Sequence, residues 1–118
     1  MGMNTLSFTI PGKPRPLQRH RWGKHGNYDP SRQEKDRLGS YALLERNKKS
    51  IKLSTNRFKA FFTVYGLRPN ADLDNVLKGL LDAFNGILWV DDKQGDELLI
   101  KRGNGGEPRI TVEISWEK

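Results

Sequence analysis

Residues 72 to 78 read DLDNVLK and residues 89 to 92 read WVDD, so Asp72, Asp74, Asp91 and Asp92 gather in one short region of a chain whose formal charge is +7. Carboxylates concentrated in this way suit a hard cation, because Mg²⁺ and Mn²⁺ take oxygen ligands and complete their shells with water and substrate phosphate. A cation so held neutralises phosphate, lowers the pKa of an attacking water and stabilises the leaving oxygen, which is the chemistry of phosphodiester hydrolysis. A plainer reading fits each short motif taken singly. DLDN then caps a helix, Lys78 and Asp82 form a surface ion pair worth a few tenths of a kcal/mol, and Asp91-Asp92 is an acidic loop.

Two residues apart, Asp72 and Asp74 point the same way in an extended segment but about 200° apart on a helix. With Asp74 as the N-cap, Asp72 stays in the extended approach and both carboxylates face one site beside the positive helix end. Lys78 and Asp82 follow at successive intervals of four, giving a line of Asp, Lys and Asp along one face. If that helix packs on a sheet, the segment from Asn85 to Val90 returns Asp92 to the same end and three oxygen ligands converge. A calcium loop starting at Asp72 fails, since Val76, Leu77 and Ala83 stand where an oxygen ligand, glycine and glutamate are needed. Walker A, GxSxG and HExxH patterns are absent. A DxD nucleotide-sugar transferase would need a nucleotide-binding domain for which 118 residues leave little room. His20 and His25 fall in a basic segment and read as DNA-facing or solvent-exposed rather than as zinc ligands.

The elements that must hold these residues are legible in part. NTLSFTI, residues 4 to 10, alternates Leu6, Phe8 and Ile10 with polar neighbours and predicts a half-buried strand. PGKPRPLQRHRWGKHGN, residues 11 to 27, has three prolines, three glycines and seven Lys, Arg or His, and reads as a basic, partly mobile loop. Asp29-Pro30 supplies a helix start, and a first helix is expected from Pro30 to about Lys48. Residues 57 to 65 alternate Phe58, Ala60, Phe62 and Val64 in a strand apolar enough to lie centrally. From 73 to 86, Val76, Leu77, Leu80, Leu81 and Phe84 share one face of a second helix, which Asn85-Gly86 ends. Strands at 97–102 and 109–117 follow, with GNGGEP between them as a hairpin loop. The expected fold is α+β: a small, mostly antiparallel (mixed) sheet of about four strands with two helices, in the order β-α-β-α-β-β.

A chain of 118 residues with 35% hydrophobic content fits a single domain over 1–118. The lack of cysteine excludes disulfides, thiolate zinc and a cysteine nucleophile, and fits a reducing, intracellular compartment. No stretch approaches the ~18 apolar residues that span a bilayer, so a soluble, cytoplasmic protein is expected, without a membrane partner. Charge is uneven. Residues 1–71 carry fifteen Lys or Arg against four Asp or Glu, a balance of +11, and residues 72–97 carry two against seven, a balance of −5. A basic body around an acidic centre concentrates polyanions such as nucleic acid. A solvated basic face without a partner is the bland alternative.

The run DLDNVLKGLLDAFNGILWVDDKQ resembles the signature of the RusA-type Holliday-junction resolvases, a D-x-D-N, x-x-K, x-x-x-D-A pattern followed by D-D-x-Q. Asp72, Asp74, Asn75, Lys78, Asp82, Ala83, Asp91, Asp92 and Gln94 fall on it, while GKPRP and YDP extend the likeness toward the N-terminus. Relatives often place a basic residue just before the first Asp; here Asn70 and Ala71 stand there and Arg68 is the nearest cation. The resemblance implies that Asp72, Asp74 and Asp92 are catalytic, metal-binding carboxylates for Mg²⁺, with Mn²⁺ as substitute. It implies Lys78 as a catalytic cation that counters phosphate charge, with Asp91, Asp82 and Asn75 in supporting duty beside the ligands. It further implies a homodimer that acts on branched DNA, making paired nicks in four-way junctions during recombination and repair. Contacts to DNA then fall to Lys13, Arg15, Arg19, Arg21, Lys24 and Arg68, with Trp22 and Tyr28 interleaved; Trp22 fits stacking on a base and internal packing equally. A nucleic-acid-binding module without catalysis is the competing function.

Overall fold

The computed structural model describes residues 3–16, 21–23, 26–28 and 32–117, with the backbone alone for 3, 21–23, 26–28 and 117. Strand β1 (Met3–Pro11) is followed by two short strands, β2 (Arg21–Gly23) and β3 (Gly26–Tyr28), then helix α1 (Arg32–Lys48) and strand β4 (Phe58–Tyr65). Helix α2 (Leu73–Phe84), a single 3-10 turn at Asp92–Gln94, and strands β5 (Gly95–Arg102) and β6 (Arg109–Glu117) complete the chain. Four strands form one mixed sheet in the order β1-β6-β4-β5, and two helices cover it, which is the α+β arrangement the periodicities predict. No described helix is long and apolar enough to cross a membrane.

One face of the sheet supplies the core because successive strand residues point to opposite sides. Leu6, Phe8 and Ile10 of β1 lie opposite Ile114, Val112 and Ile110 of β6, and the same three β6 residues face Ala60, Phe62 and Val64 of β4. All nine are buried. Val76, Leu80, Leu81, Ala83 and Phe84 of α2 close over them, so the apolar stripe read at 3.6-residue spacing is the face that docks. Helix α1 contributes less: Leu38, Gly39 and Ala42 are buried, while Leu43 and Leu44 are exposed. Gly39 lets α1 pack closely on the end of α2 and the turn after it, since a Cβ there would stand 3.0 Å from Ile87 Cδ1 and 3.2 Å from the Ala83 carbonyl oxygen.

Two expectations need correction, and one strand direction adds to the mixed sheet that was expected. GNGGEP does not turn a hairpin, because β5 and β6 flank β4 on opposite sides; the loop crosses the end of β4, where Gly103 N–H donates to the Val64 carbonyl at 2.8 Å and Gly12 N–H to the Pro108 carbonyl at 3.1 Å. Strand β5 runs parallel to β4, its alternation weakened because it is an edge strand with no fully buried residue. The segment read as a loop from 11 to 27 contains β2, which pairs antiparallel with β3 through Trp22 and Asn27. Pro30, the expected start of the first helix, lies outside the described residues.

Candidate functional site

Each end of α2 carries a pair of carboxylates. At the N-terminal end, Asp72 rather than Asp74 is the cap: its backbone is extended (φ −88°, ψ 116°), its Oδ1 accepts from Asp74 N–H at 2.9 Å, and its carbonyl accepts from Asn75 and Val76. Asp74 therefore sits inside the first turn, where a negative side chain is favoured by the helix dipole. The cap moved back by two residues because DLDN offers an aspartate at both candidate positions, and the one preceding the apolar face at Leu73 captures the free N–H groups. Lys78 Nζ stands 3.5 Å from Asp74 Oδ2, with both side chains largely exposed. The line continues differently from the sequence reading, since Asp82 pairs with Lys35 of α1 at 3.8 Å instead of with Lys78. Asn75 is half-buried beside them.

At the C-terminal end of α2 the chain folds back on itself. Ile87 and Leu88 N–H groups both donate to the Phe84 carbonyl, and Gly86 N–H donates to the Trp89 carbonyl at 2.7 Å. Gly86 takes φ +79°, a conformation that favours glycine. Trp89 fixes the turn: it is fully buried, stacks on Phe58 at 4.0 Å between ring centroids, meets Phe84 edge-on at 6.0 Å, and donates from Nε1 to Asn85 Oδ1 at 2.6 Å. The Asn85 amide thus has its N–H groups left to donate, and they reach the Asp92 carboxylate.

The 3-10 turn that carries Asp91 and Asp92 is a small capping box. Asp91 Oδ1 accepts from Lys93 N–H at 3.1 Å while Gln94 Oε1 accepts from Asp91 N–H at 2.9 Å. Gln94 Nε2 then donates to the carbonyls of Ser54 and Asn56 at 3.0 and 2.9 Å, stapling the turn to the segment ahead of β4. The two carboxyl groups interact. The Lys93 backbone N–H and the Asp92 carboxyl hold Asp91 below the usual carboxylate range. Burial, then the neighbouring Asp91 carboxylate, pushes Asp92 up, with Asp82 adding to the rise and the Asn85 amide opposing it. Asp91 thus gives up its proton more readily than Asp92.

The expectation that Asn85–Val90 returns Asp92 to the start of α2 is not met within one chain. Asp92 lies against Asn85 at the far end of the helix, and Asp74 and Asn85 are eleven positions apart, or ~16 Å of helix rise. Strand β5 spans the same gap, leaving the 3-10 turn at Gly95 and arriving after ~23 Å at Arg102, whose guanidinium touches the Ala71 carbonyl beside Asp72. Among the described residues no group of three or more His, Asp or Glu side chains is placed to hold a metal ion. The donor chemistry at each end suits a hard divalent cation, but one copy of the chain does not bring Asp72, Asp74 and Asp92 to one point.

Of the cations expected to meet DNA, Lys13 and Arg15 are exposed just beyond β1, and Arg68 is exposed in the loop that leads to Asp72. Arg21 opens β2 and is described by its backbone alone, while Arg19 and Lys24 lie outside the described residues. Three residues with evident duties were not among the sequence candidates. Gln94 was visible in the D-D-x-Q pattern but carried no stated role. Asn85 read as a helix terminator, and its second use needs the buried Trp89 to be known. Arg102 had no sequence signal, since it sits 31 to 34 residues from the carbonyls it holds.

Fold and site together define a small α+β domain that presents two acidic ends of one helix from a basic body. The family model for endodeoxyribonuclease RusA matches residues 11–115, nearly the whole chain, and the chain belongs to that family. A Bacillus subtilis (strain 168) protein, described only as uncharacterized protein YqaN, is 40% identical over 50 residues, covering 41% of this chain. The aligned segment spans 35% of that relative's length.

Proposed function

We infer that this chain is a divalent-metal-dependent endodeoxyribonuclease that works as a homodimer and resolves four-way (Holliday) DNA junctions by paired nicks, in recombination and repair. The observation that carries the reading is the family match over residues 11–115, which contains every acidic position of the signature. Asp72, Asp74 and Asp92 are the proposed ligands of Mg²⁺, with Mn²⁺ able to substitute. When bound, the cation supplies charge neutralisation at the phosphate and a water of lowered pKa. Lys78, close to Asp74 before DNA arrives, turns to a phosphate oxygen and offsets charge in the transition state. Asp91 fixes the turn that bears Asp92, Asn75 and Asp82 support the helix face, and Lys13, Arg15, Arg19, Arg21, Lys24 and Arg68 meet the DNA backbone.

Two-fold assembly reconciles the ligand set with the separation seen in one copy. Antiparallel juxtaposition of two α2 helices sets the Asp72–Asp74 end of one copy against the Asp92 end of the other, giving two equivalent sites related by symmetry. Two sites suit a substrate that is cut on two strands. The direct test presents four-way junctions, flaps, linear duplex and RNA to the chain with Mg²⁺ or Mn²⁺, alongside Asp74→Asn. Symmetric nicking of the junction alone is expected, abolished in the variant while junction binding is kept or tightened by the loss of a repelling charge. Unchanged nicking by Asp74→Asn removes that residue from the site, and equal cutting of linear duplex removes the junction selectivity.

A further inference from the structure

The loop from Gly66 to Ala71 delivers the chain from the end of β4 to the Asp72 cap, yet none of its six residues is buried. A cavity of about 310 Å³ adjoins it, lined by Val64, Leu67, Pro69, Arg102 and Asn104 among others, and of the six residues Leu67 alone packs against the core. A single side chain holds the 68–71 turn that follows. The Arg102 guanidinium donates from Nη1 to the Arg68 carbonyl at 3.1 Å, and from Nη2 to the carbonyls of Pro69 at 3.4 Å and Ala71 at 2.6 Å. Ala71 N–H closes the same turn on the Arg68 carbonyl at 3.0 Å. Three acceptors from four consecutive residues are thereby gathered on one planar fork, a task for which an ammonium lacks the geometry.

Arg102 is itself well anchored. Gly103, its neighbour, bonds the Val64 carbonyl, and a Cβ at Gly103 would fall 2.2 Å from the Tyr65 ring, so the end of β5 is fitted against β4 without slack. Arg102 makes no salt bridge among the described residues, and its hydrogen-bonding capacity faces main-chain carbonyls that could have been left to water. The contact is solvent-exposed, where such bonds add little to global stability. Its distinctive effect is local: it fixes the residue before Asp72.

We propose that Arg102 is a positioning residue that sets Asp72 and Asp74 in their working geometry by clamping the 68–71 turn, an assignment that rests on the nuclease reading above. The test compares Arg102→Ala, Arg102→Lys and Arg102→Gln with the unaltered chain by amide hydrogen exchange and by single-turnover nicking of a four-way junction across a Mg²⁺ titration. In Arg102→Ala, exchange at the Ala71 and Asp74 amides should rise at least tenfold while that at Val90, at the other end of α2, stays within twofold. Nicking should fall about 10- to 100-fold, the scale found when groups that orient metal ligands are removed, with a higher half-saturating Mg²⁺ and junction affinity within twofold. Arg102→Lys keeps the charge and should not rescue; Arg102→Gln retains two donors and should lie between, which also serves if the alanine variant folds poorly. Unchanged local exchange, or a nicking rate within twofold of the unaltered chain, overturns the clamp while leaving the nuclease reading intact. A loss of affinity that matches the loss of rate makes Arg102 a DNA contact and also overturns it. An unaltered chain that nicks nothing removes the reading and the proposal together, whereas increased exchange with normal nicking removes the proposal alone.

Discussion

Asp91 and Asp92 are adjacent carboxylates with opposite fates, and their environments explain the split. Asp91 is stabilised as the anion, so it contributes stability above the unfolded carboxylate pKa that is lost as pH falls through its lowered value. Asp92 does the reverse: its raised value means the fold holds its proton more tightly than the unfolded chain, and that contribution disappears as pH rises through the raised value. Asp92→Asn should therefore raise Tm at neutral pH in a chelating buffer by a few degrees at most, because charge pairs this exposed are worth a few tenths of a kcal/mol. The gain should fade as pH drops below the raised Asp92 value, and thermal scans across pH read it directly. At the opposite end of α2, Lys78→Met should cost about 0.5 kcal/mol or less in stability, since the Asp74 pair is exposed, while cutting the nicking rate about 100-fold. The acidic residues and Lys78 were legible in the sequence because their types and spacings carry chemistry by themselves. Which aspartate capped the helix was not, because DLDN satisfies the capping rule twice.

Elements rather than residues decide where these side chains go. Helix α2 was the most legible part, its buried stripe falling on the residues that periodicity selects. The turn after it was misread, because nothing in GILWVDD says that Trp89 will fill the space between Phe58 and Phe84 and hold Asp92 at the C-terminal end. Trp89→Ala should cost about 3–5 kcal/mol and loosen the turn as well. Gln94→Ala should be gentler, about 1–3 kcal/mol, since it removes three hydrogen bonds at a partly exposed position. Denaturant titration measures both. The sharper reading is that Gln94→Ala lowers nicking by at least tenfold at temperatures where the fold is intact, because the capping box carrying Asp92 is lost.

At the scale of the whole molecule, the α+β order was recoverable from strand and helix periods, but the partners of each strand were not. The glycine-rich GNGGEP segment has hairpin composition and nevertheless crosses β4, a topology set by the demand that the apolar β4 lie between two neighbours. The same limit applied to the metal site: spacing suggested convergence, and the parallel β5 instead keeps the two acidic ends of α2 apart. A site completed by two copies makes a distinctive demand on mixed dimers. Asp74→Asn and Asp92→Asn should each be inactive as homodimers, whereas a dimer with one copy of each rebuilds one intact site, leaving the other with both defects. Differently tagged variants, co-expressed and purified through both tags, give that dimer for nicking of a four-way junction with Mg²⁺. Recovery of single-strand nicking at about half the rate of the unaltered dimer is the predicted result; a mixed dimer as inactive as either parent would contradict a site shared between two copies.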